Sequence, residues 1–147
     1  MNALVHHVEV QTSKAPEFID ITDQVASIVR NSAVRDGCVV VFSRHTTAAL
    51  KINENEPQLI KDMEAFLERM ASKDGHYYHN DFSLRNGGPA DDEDPNGHAH
   101  CQHLLLGASE TVPIVGGHLA LGPWQRIFLV ELDRPRPREV VVQVLGV

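Results

Sequence analysis

Histidines are the residues of this chain best suited to chemistry. His45 follows directly after an apolar run, and His98, His100 and His103 lie close together further along. If residues 98–100 are extended, His98 and His100 project to the same side, because side chains at i and i+2 share one face of a strand. That spacing suits a metal ion, although surface histidines are also common. His103 would join them only in a helix, so we interpret it as a surface or edge residue.

An acidic residue within an apolar run is the natural companion for these histidines. Glu131 lies in the run Ile127–Leu132 and either faces solvent or is paired inside the fold, because an unpaired buried charge is costly. If it faces inward, it joins two or three histidines in an open divalent-metal site that leaves positions for water or substrate. Zinc is the first expectation for that site, with magnesium, manganese or iron as alternatives.

Three other polar segments offer ligand contacts. The hydroxyl groups of Thr46 and Thr47 follow the first histidine and suit the orientation of a ligand or of a water molecule. Asn53 and Glu54 precede a predicted helix, where the carboxylate either caps the helix or contacts the same cleft. The segment Arg134-Pro135-Arg136-Pro137-Arg138 is the single basic cluster; its guanidinium groups suit phosphate or carboxylate, and its alternative role is a solvated turn.

The elements that must position these residues follow from hydrophobic periodicity and turn signals. The predicted strands cover 3–11, 37–42 and 46–53, followed by several short strands between 104 and 147, and the helices begin at Thr22 and Pro57. Residues 72–97 are predicted to form a long loop that ends with the acidic residues 91–94. Together these elements predict an α+β fold with a mixed, sandwich-like β core and two helices packed on it.

Length and composition restrict the class of protein. With 147 residues, residues 1–147 are predicted to form a single domain. A net charge of −7 and scattered basic residues argue against a nucleic-acid partner. No stretch approaches the roughly 20 apolar residues that span a bilayer, and the N-terminus does not read as an export signal, so no membrane partner is expected. The two cysteines have neither the number nor the spacing of a disulfide framework, which favours a cytoplasmic location.

Several short motifs, taken in order, resemble the YjbQ family, whose members are described as secondary thiamine-phosphate synthases. The resemblance covers nearly the whole chain and is carried by six segments, the last of which precedes Glu131: His45-Thr46-Thr47-Ala48-Ala49-Leu50, Ile52-Asn53-Glu54-Asn55, His79-Asn80, Asn96-Gly97-His98-Ala99-His100, Leu105-Leu106-Gly107 and Gly122-Pro123-Trp124-Gln125. The resemblance implies a compact homotrimer with a mixed, sandwich-like fold. It also implies one pocket near a subunit boundary that holds His45, His100 and Glu131.

The same resemblance implies residue roles and a reaction. Metal ligands are expected from His45, His98, His100 and Glu131; proton or substrate handling from Glu54, His79 and Gln125; and substrate contacts from Asn53, Thr46, Arg136 and Arg138. The implied reaction joins an aminopyrimidine methyl diphosphate to a thiazole phosphate and releases pyrophosphate, so the substrate is a small phosphorylated molecule. Alternatives that use the same residues are a metal-dependent phosphate-ester hydrolase, a trimeric metal- or metabolite-binding protein without turnover, and a structural trimer.

Overall fold

A computed structural model describes residues 1–90 and 93–147. In chain order the elements are β1 (Asn2–Gln11), β2 (Glu17–Asp20), α1 (Thr22–Asn31), β3 (Gly37–Ser43), β4 (Ala48–Glu54), α2 (Pro57–Met70), α3 (Gly97–Leu106), β5 (Ser109–Val115), β6 (His118–Leu119), β7 (Gln125–Glu131) and β8 (Pro137–Gly146). Two short 3-10 turns, Tyr78–Asn80 and Phe82–Leu84, lie between α2 and α3.

The strands form two antiparallel sheets. A five-stranded sheet has the order β1-β8-β3-β5-β6, and a three-stranded sheet has the order β2-β7-β4. β-branched residues in β3 and β8 alternate inward, and their buried members pack with Leu50 and Ile127 of the small sheet and with Val25 of α1. A second apolar cluster around Phe128 lies on the other face of the small sheet. The predicted α+β class with a sandwich-like core is therefore confirmed.

The segment with three histidines is the main departure from the predicted elements. Residues 104–107 were expected to form a strand and residues 98–100 to be extended, but α3 covers Gly97–Leu106. Gly107, with φ of 92°, ends the helix, as glycine often does because it tolerates positive φ. The fold therefore has three helices in the described parts of the chain, and the two side chains of the His-x-His pair diverge.

The second predicted helix begins where the sequence indicates. Pro57 is at its first turn, and the Glu56 carboxylate accepts hydrogen bonds from the N–H groups of Gln58 and Leu59. The apolar side chains of this helix are only partly covered: Leu67 is buried, whereas Phe66 is 49% exposed. The cap is thus set by local sequence, whereas coverage of the stripe depends on what packs against it.

The long predicted loop makes hydrogen bonds within itself and with the first residue of α3. The Tyr77 hydroxyl donates to the Ser72 backbone carbonyl at 2.7 Å, and the side-chain oxygen Oδ1 of Asn80 accepts from the Gly97 N–H at 2.9 Å. Two members of the predicted acidic run, Asp91 and Asp92, lie outside the described residues. Among the described residues, no helix is both long enough and apolar enough to cross a membrane.

Candidate functional site

A cleft of about 400 Å³ opens where the two sheets, α3 and the 72–97 loop meet. Four arginines, three histidines and two acids line it together with three uncharged polar residues: Arg44, His45, Thr46, Thr47, His79, Arg85, Glu93, Asn96, His100, Asp133, Arg136 and Arg138. Guanidinium groups outnumber carboxylates in the lining by four to two, and Glu131 and Glu139, outside the lining, pair with Arg138 and Arg44. Guanidinium groups are the lining groups that suit an anion.

Four segments distant in sequence contribute to this cleft. The turn after β3 supplies residues 44–47, and the segment from the end of β7 to the start of β8 supplies Asp133, Arg136 and Arg138. The N-terminal half of α3 supplies His100, and the loop supplies the remaining members. The antiparallel pairing of Ala48 with Glu131 brings the first two segments to the same end of the small sheet.

Glu131 is fully buried and lies behind the cleft, where it holds an arginine. Arg138 donates from Nε to Oε1 at 2.8 Å and from Nη2 to Oε2 at 2.5 Å. The same carboxylate accepts from the Thr12 hydroxyl at 2.8 Å and from the N–H groups of Leu132 and Asp133. Of the two sequence interpretations, Glu131 is therefore the paired inner group.

Arg138 is in turn fixed on its cleft side by a threonine. Its Nη2 also donates to the Thr47 hydroxyl at 2.9 Å, and its side chain is 2% exposed. Nη1 takes part in none of these hydrogen bonds, and Arg138 is one of the residues that line the cleft. A guanidinium held in this way is preorganised to interact with an oxyanion.

His45 is held by the backbone of the neighbouring strand. Its Nε2 accepts a hydrogen bond from the Glu139 N–H at 2.9 Å, so the neutral ring carries its proton on Nδ1. Burial, followed by the nearby charges of Arg138 and Arg136, holds the pKa of His45 below its usual 6.5. At neutral pH this residue is an uncharged hydrogen-bond donor next to the arginines.

The two outer histidines of the cleft lie against each other. The rings of His79 and His100 meet edge to face, with centroids 4.7 Å apart. Burial, and then the charge of His79, lowers the pKa of His100. His79 Nε2 is 3.3 Å from Oε1 of Glu93, and the same Oε1 accepts from Arg85 Nη1 at 2.5 Å.

His98 does not share the cleft with His100. Residues two apart on an α-helix project about 200° apart, and His98, 5% exposed, instead lines a small separate cavity with Glu68, Lys73 and Gln102. Burial and then Lys73 lower the pKa of His98. The expectation that His98 and His100 act as a pair on one side was therefore wrong, because the segment is helical.

His103, interpreted from sequence as a surface residue, is half-buried on the same helix. Burial lowers its pKa, and hydrogen bonds to the backbone of His45 and Ala48 oppose that shift. It lines a groove that runs behind His45 and contains Phe42. His103 therefore connects α3, which carries His100, to the turn that carries His45.

The predicted metal ligands do not fit a metal ion as a set. Both oxygens of Glu131 are taken by hydrogen-bond donors, His45 Nε2 accepts a backbone N–H, and His98 faces another cavity. Within residues 1–90 and 93–147, no group of three histidine, cysteine or acidic side chains is placed to hold a metal. In this chain, Glu131 orients Arg138 instead.

Three predicted site residues lie away from the cleft in the single chain. Asn53, Glu54 and Gln125 are at the opposite end of the small sheet, where Glu54 pairs with Gln125 in the strand register. Six residues of extended strand separate them from the Ala48–Glu131 pair, which corresponds to roughly 20 Å. Gln125 accepts from the Gly122 N–H at 2.8 Å and so closes its own turn. The structure therefore brings together Thr46, His79, Arg136 and Arg138, but not these three.

Sequence reasoning missed several members of the cleft: Arg44, Arg85, Glu93, Asn96 and Asp133, together with Thr12 behind it. Asn96 donates from its amide to Asp133 at 3.1 Å, a contact between residues 37 apart in the chain. No short sequence motif indicates a contact between residues so far apart in the chain. Arg44 was detectable, because it directly precedes His45 at the end of a predicted buried strand.

Fold and cleft together define a small α+β sandwich protein with an arginine-lined cleft at one end of its sheets. The family model described as UPF0047 protein YjbQ-like matches residues 6–147. A UPF0047 protein of Methanothermobacter thermautotrophicus is 40% identical over 146 residues, which cover 99% of this chain and 94% of that protein. The Bacillus subtilis UPF0047 protein YugU is 30% identical over 140 residues, which cover 95% and 97%.

Solved structures agree with these relatives. A YbjQ-like protein of unknown function from Sulfolobus solfataricus matches with a TM-score of 0.84 and 36% identity, over 99% of this chain and 100% of that one. A hypothetical protein from Aeropyrum pernix matches with a TM-score of 0.87 and 35% identity, over 98% and 99%. This chain belongs to the YjbQ (UPF0047) family.

Proposed function

We propose that this protein is an enzyme that acts on a small phosphorylated substrate bound in the arginine-lined cleft. The observation that carries the proposal is Arg138, a guanidinium fixed by Glu131 and Thr47 before any ligand arrives. Three further arginines, Arg44, Arg85 and Arg136, line the same cleft. Guanidinium groups match phosphate oxygens and stabilise the negative charge that develops on a departing phosphate or diphosphate.

The first candidate reaction is the one that the family resemblance implies, coupling of an aminopyrimidine methyl diphosphate to a thiazole phosphate with release of pyrophosphate. In this proposal the arginines hold the departing pyrophosphate. We assign proton exchange with the substrate to His100 and His79, which line the cleft. Burial lowers the pKa of His100, which favours its neutral ring at pH 7. The hydroxyl of Thr46, which is exposed in the cleft, contacts the substrate.

A divalent cation belongs to this proposal as the counterion of the substrate. Magnesium is usually held by one or two carboxylates together with substrate phosphates, and Asp133 and Glu93 are the carboxylates of the cleft. Zinc in the originally predicted ligand set has less support, because the oxygens of Glu131 are occupied. Coupling assays with and without a chelator, followed by addition of magnesium, manganese or zinc, test the cation requirement.

The anion site is tested first, by titrating the protein with inorganic pyrophosphate in a calorimeter. We expect binding by the wild type and about tenfold weaker binding by Arg136→Gln, because a hydrogen bond to a charged group contributes about 1.5 kcal/mol or more. Arg30→Gln, at the exposed end of α1, is the matched control and should bind like the wild type. Absence of pyrophosphate binding by the folded wild type would contradict the proposal.

The reaction is tested next, by incubating the protein with both thiamine precursors and measuring thiamine phosphate. We expect product with the wild type and with the exposed-histidine control His118→Ala, and strongly reduced product with His100→Ala. Equal product from His100→Ala would exclude this cleft as the site of synthesis. Release of inorganic phosphate from one precursor alone would favour the hydrolase alternative, and binding without turnover would favour a binding protein.

The homotrimer and the cytoplasmic location are also proposals. Large apolar side chains are exposed on the single chain, among them Leu104 at 82% and Trp124 at 72%, which supports self-association. Both cysteines are free, as expected in a reducing compartment. Light scattering coupled to size-exclusion chromatography tests the trimer: a mass of one chain would reject it, since one chain has a mass of 16.3 kDa.

A further inference from the structure

Glu93 occupies an unexpected position for a member of an acidic loop segment. Its side chain is 12% exposed, and it lies among the arginines and histidines of the cleft. Oε2 accepts the Ala90 N–H at 3.0 Å, which secures the carboxylate within its own loop. Oε1 accepts from Arg85 at 2.5 Å. A carboxylate held in this way is an obstacle to an incoming anion, because like charges at short distance repel.

Glu93 stays negatively charged at physiological pH. The hydrogen bond from Arg85 and, to a smaller extent, the one from the Ala90 N–H lower the pKa of Glu93 to about 2. Arg85 is therefore neutralised by a partner on the same loop whenever the cleft is empty. An incoming phosphate must compete with this tethered carboxylate for the guanidinium, since tethering gives it a high effective concentration.

The imidazole next to Glu93 lacks a hydrogen bond that it could make. His79 Nε2 is buried and has no hydrogen-bond partner among the described residues, although Oε1 of Glu93 is only 3.3 Å away. The hydrogen bond from Arg85 holds that oxygen where His79 Nε2 makes no hydrogen bond with it. If an anion drew Arg85 away, the carboxylate could turn toward His79, and an ionised carboxylate can only accept, so Nε2 would be the donor.

We infer that Glu93 is an internal competitor for Arg85 that transfers its hydrogen bond to His79 when a phosphate group enters the cleft. This inference rests on the proposed function, because it takes the cleft to be an anion site. It assigns Glu93 as a positioning residue: anion binding releases the carboxylate, and the carboxylate then fixes which nitrogen of His79 carries the proton. With its proton on Nε2, the His79 ring would have Nδ1 as its acceptor, opposite to His45, whose Nδ1 is the donor.

The first test is a double-mutant cycle read by pyrophosphate titration. Glu93→Gln should bind inorganic pyrophosphate about two- to fivefold more tightly than the wild type, the range expected on removal of a partly exposed ion pair. In the Arg85→Gln background the same change should have no effect, because the contested guanidinium is gone. Asp94→Asn is the matched control: it removes one negative charge next door from a side chain that is 70% exposed.

The second test reads the imidazole directly by nitrogen NMR of the histidine rings. On addition of pyrophosphate, the wild type should show His79 protonated at Nε2 and hydrogen-bonded, and Glu93→Ala, which has no acceptor at this position, should not. A merely structural role of Glu93 would leave this signal unchanged between the two proteins.

The outcomes separate the inference from the proposed function. If the wild type binds no pyrophosphate, the proposed function and this inference both fail. If the wild type binds it but Glu93→Gln binds equally or more weakly while remaining folded by circular dichroism, only the inference is overturned. An equal gain in the Arg85→Gln background, or an identical His79 signal in both proteins, would overturn it as well.

Discussion

Two of the arginine–carboxylate pairs at the cleft differ in almost every physical respect. The inner pair, Glu131 with Arg138, is buried at 0% and 2% side-chain exposure, and the carboxylate oxygens accept from five groups. The outer pair, Glu93 with Arg85, is 12% and 26% exposed and lies in a loop. The inner pair builds the site, and the outer pair can be exchanged with a ligand.

This difference follows from the cost of separating each pair. A charge left alone in the interior costs several kcal/mol, so the inner pair cannot open while the protein stays folded. A partly exposed pair is worth about 1 kcal/mol or less because water compensates for its loss. An arginine–carboxylate pair is therefore structural where it is buried and can exchange with a ligand where it is partly exposed.

The largest expected effect is on the inner pair. Glu131→Gln should lower the free energy of unfolding by about 3–5 kcal/mol, because it leaves the Arg138 charge buried without its counterion. Urea unfolding monitored by circular dichroism measures the change. Glu110→Gln, whose carboxylate forms a partly exposed pair with Lys51 at 3.4 Å, is the control and should lose about 1 kcal/mol or less. Equal losses in the two variants would remove the distinction drawn between buried and exposed pairs.

The next effect is a pH dependence that originates near the inner pair. The pKa of His45 is lowered by burial and by the adjacent arginines, so the unfolded chain binds a proton more readily than the folded protein. Stability from this residue is complete above pH 6.5 and is lost as the pH falls from 6.5 toward the lower folded pKa. The slope for one proton is at most about 1.4 kcal/mol per pH unit.

Unfolding measured at several pH values below 6.5 checks this expectation. His45→Gln should flatten the dependence, because the glutamine oxygen can still accept the Glu139 N–H but does not titrate. The exposed control His118→Gln should leave the dependence as it is. An unchanged slope in His45→Gln would show that other groups carry the acid sensitivity; three further histidines, His98, His100 and His103, also have lowered pKa values.

A smaller effect is expected for the outer pair. Glu93→Gln should leave the midpoint of urea unfolding nearly unchanged, because the glutamine oxygen can still accept from Arg85 and water reaches the site. The same urea experiment measures it. A loss comparable to that of Glu131→Gln would mean that the outer pair is also structural and could not exchange with a ligand.

The smallest effect is expected at the far end of the small sheet. Glu54→Gln should leave the pyrophosphate affinity of the cleft within about twofold, since roughly 20 Å of strand separates Glu54 from the cleft residues of its own chain and screening is strong over that distance. Calorimetry with Gln125→Ala as a second variant tests the same point. A marked loss of affinity in either variant would show that this end reaches a cleft, and only a neighbouring chain could bring it there.

The sequence predicted those parts of the fold that depend on local pattern. The β-branched run of β3, the proline at the start of α2 and the position of His45 after a buried strand were each correct, because periodicity and capping are short-range properties. Helix α3 was missed since its histidines alternate with small residues and its leucines resemble a buried strand. The predicted orientation of His98 was wrong for the same reason.

The composition of the cleft was less predictable. Arg136 and Arg138 were detected because they form a basic cluster, but Arg85 and Glu93 lie in a loop without periodicity. The carboxylate of Glu131 also accepts from Thr12, which is 119 residues away in the chain. Contacts over such distances are decided by strand pairing, and no local feature of a single sequence specifies them.

The hydrogen bonds that hold Arg138 also have a consequence for entropy. A free arginine side chain samples many rotamers, and ordering such a side chain at the moment of binding costs about 0.5–1.5 kcal/mol. Glu131 and Thr47 impose that order during folding. A ligand that reaches Arg138 therefore meets a guanidinium with no remaining conformational freedom to lose.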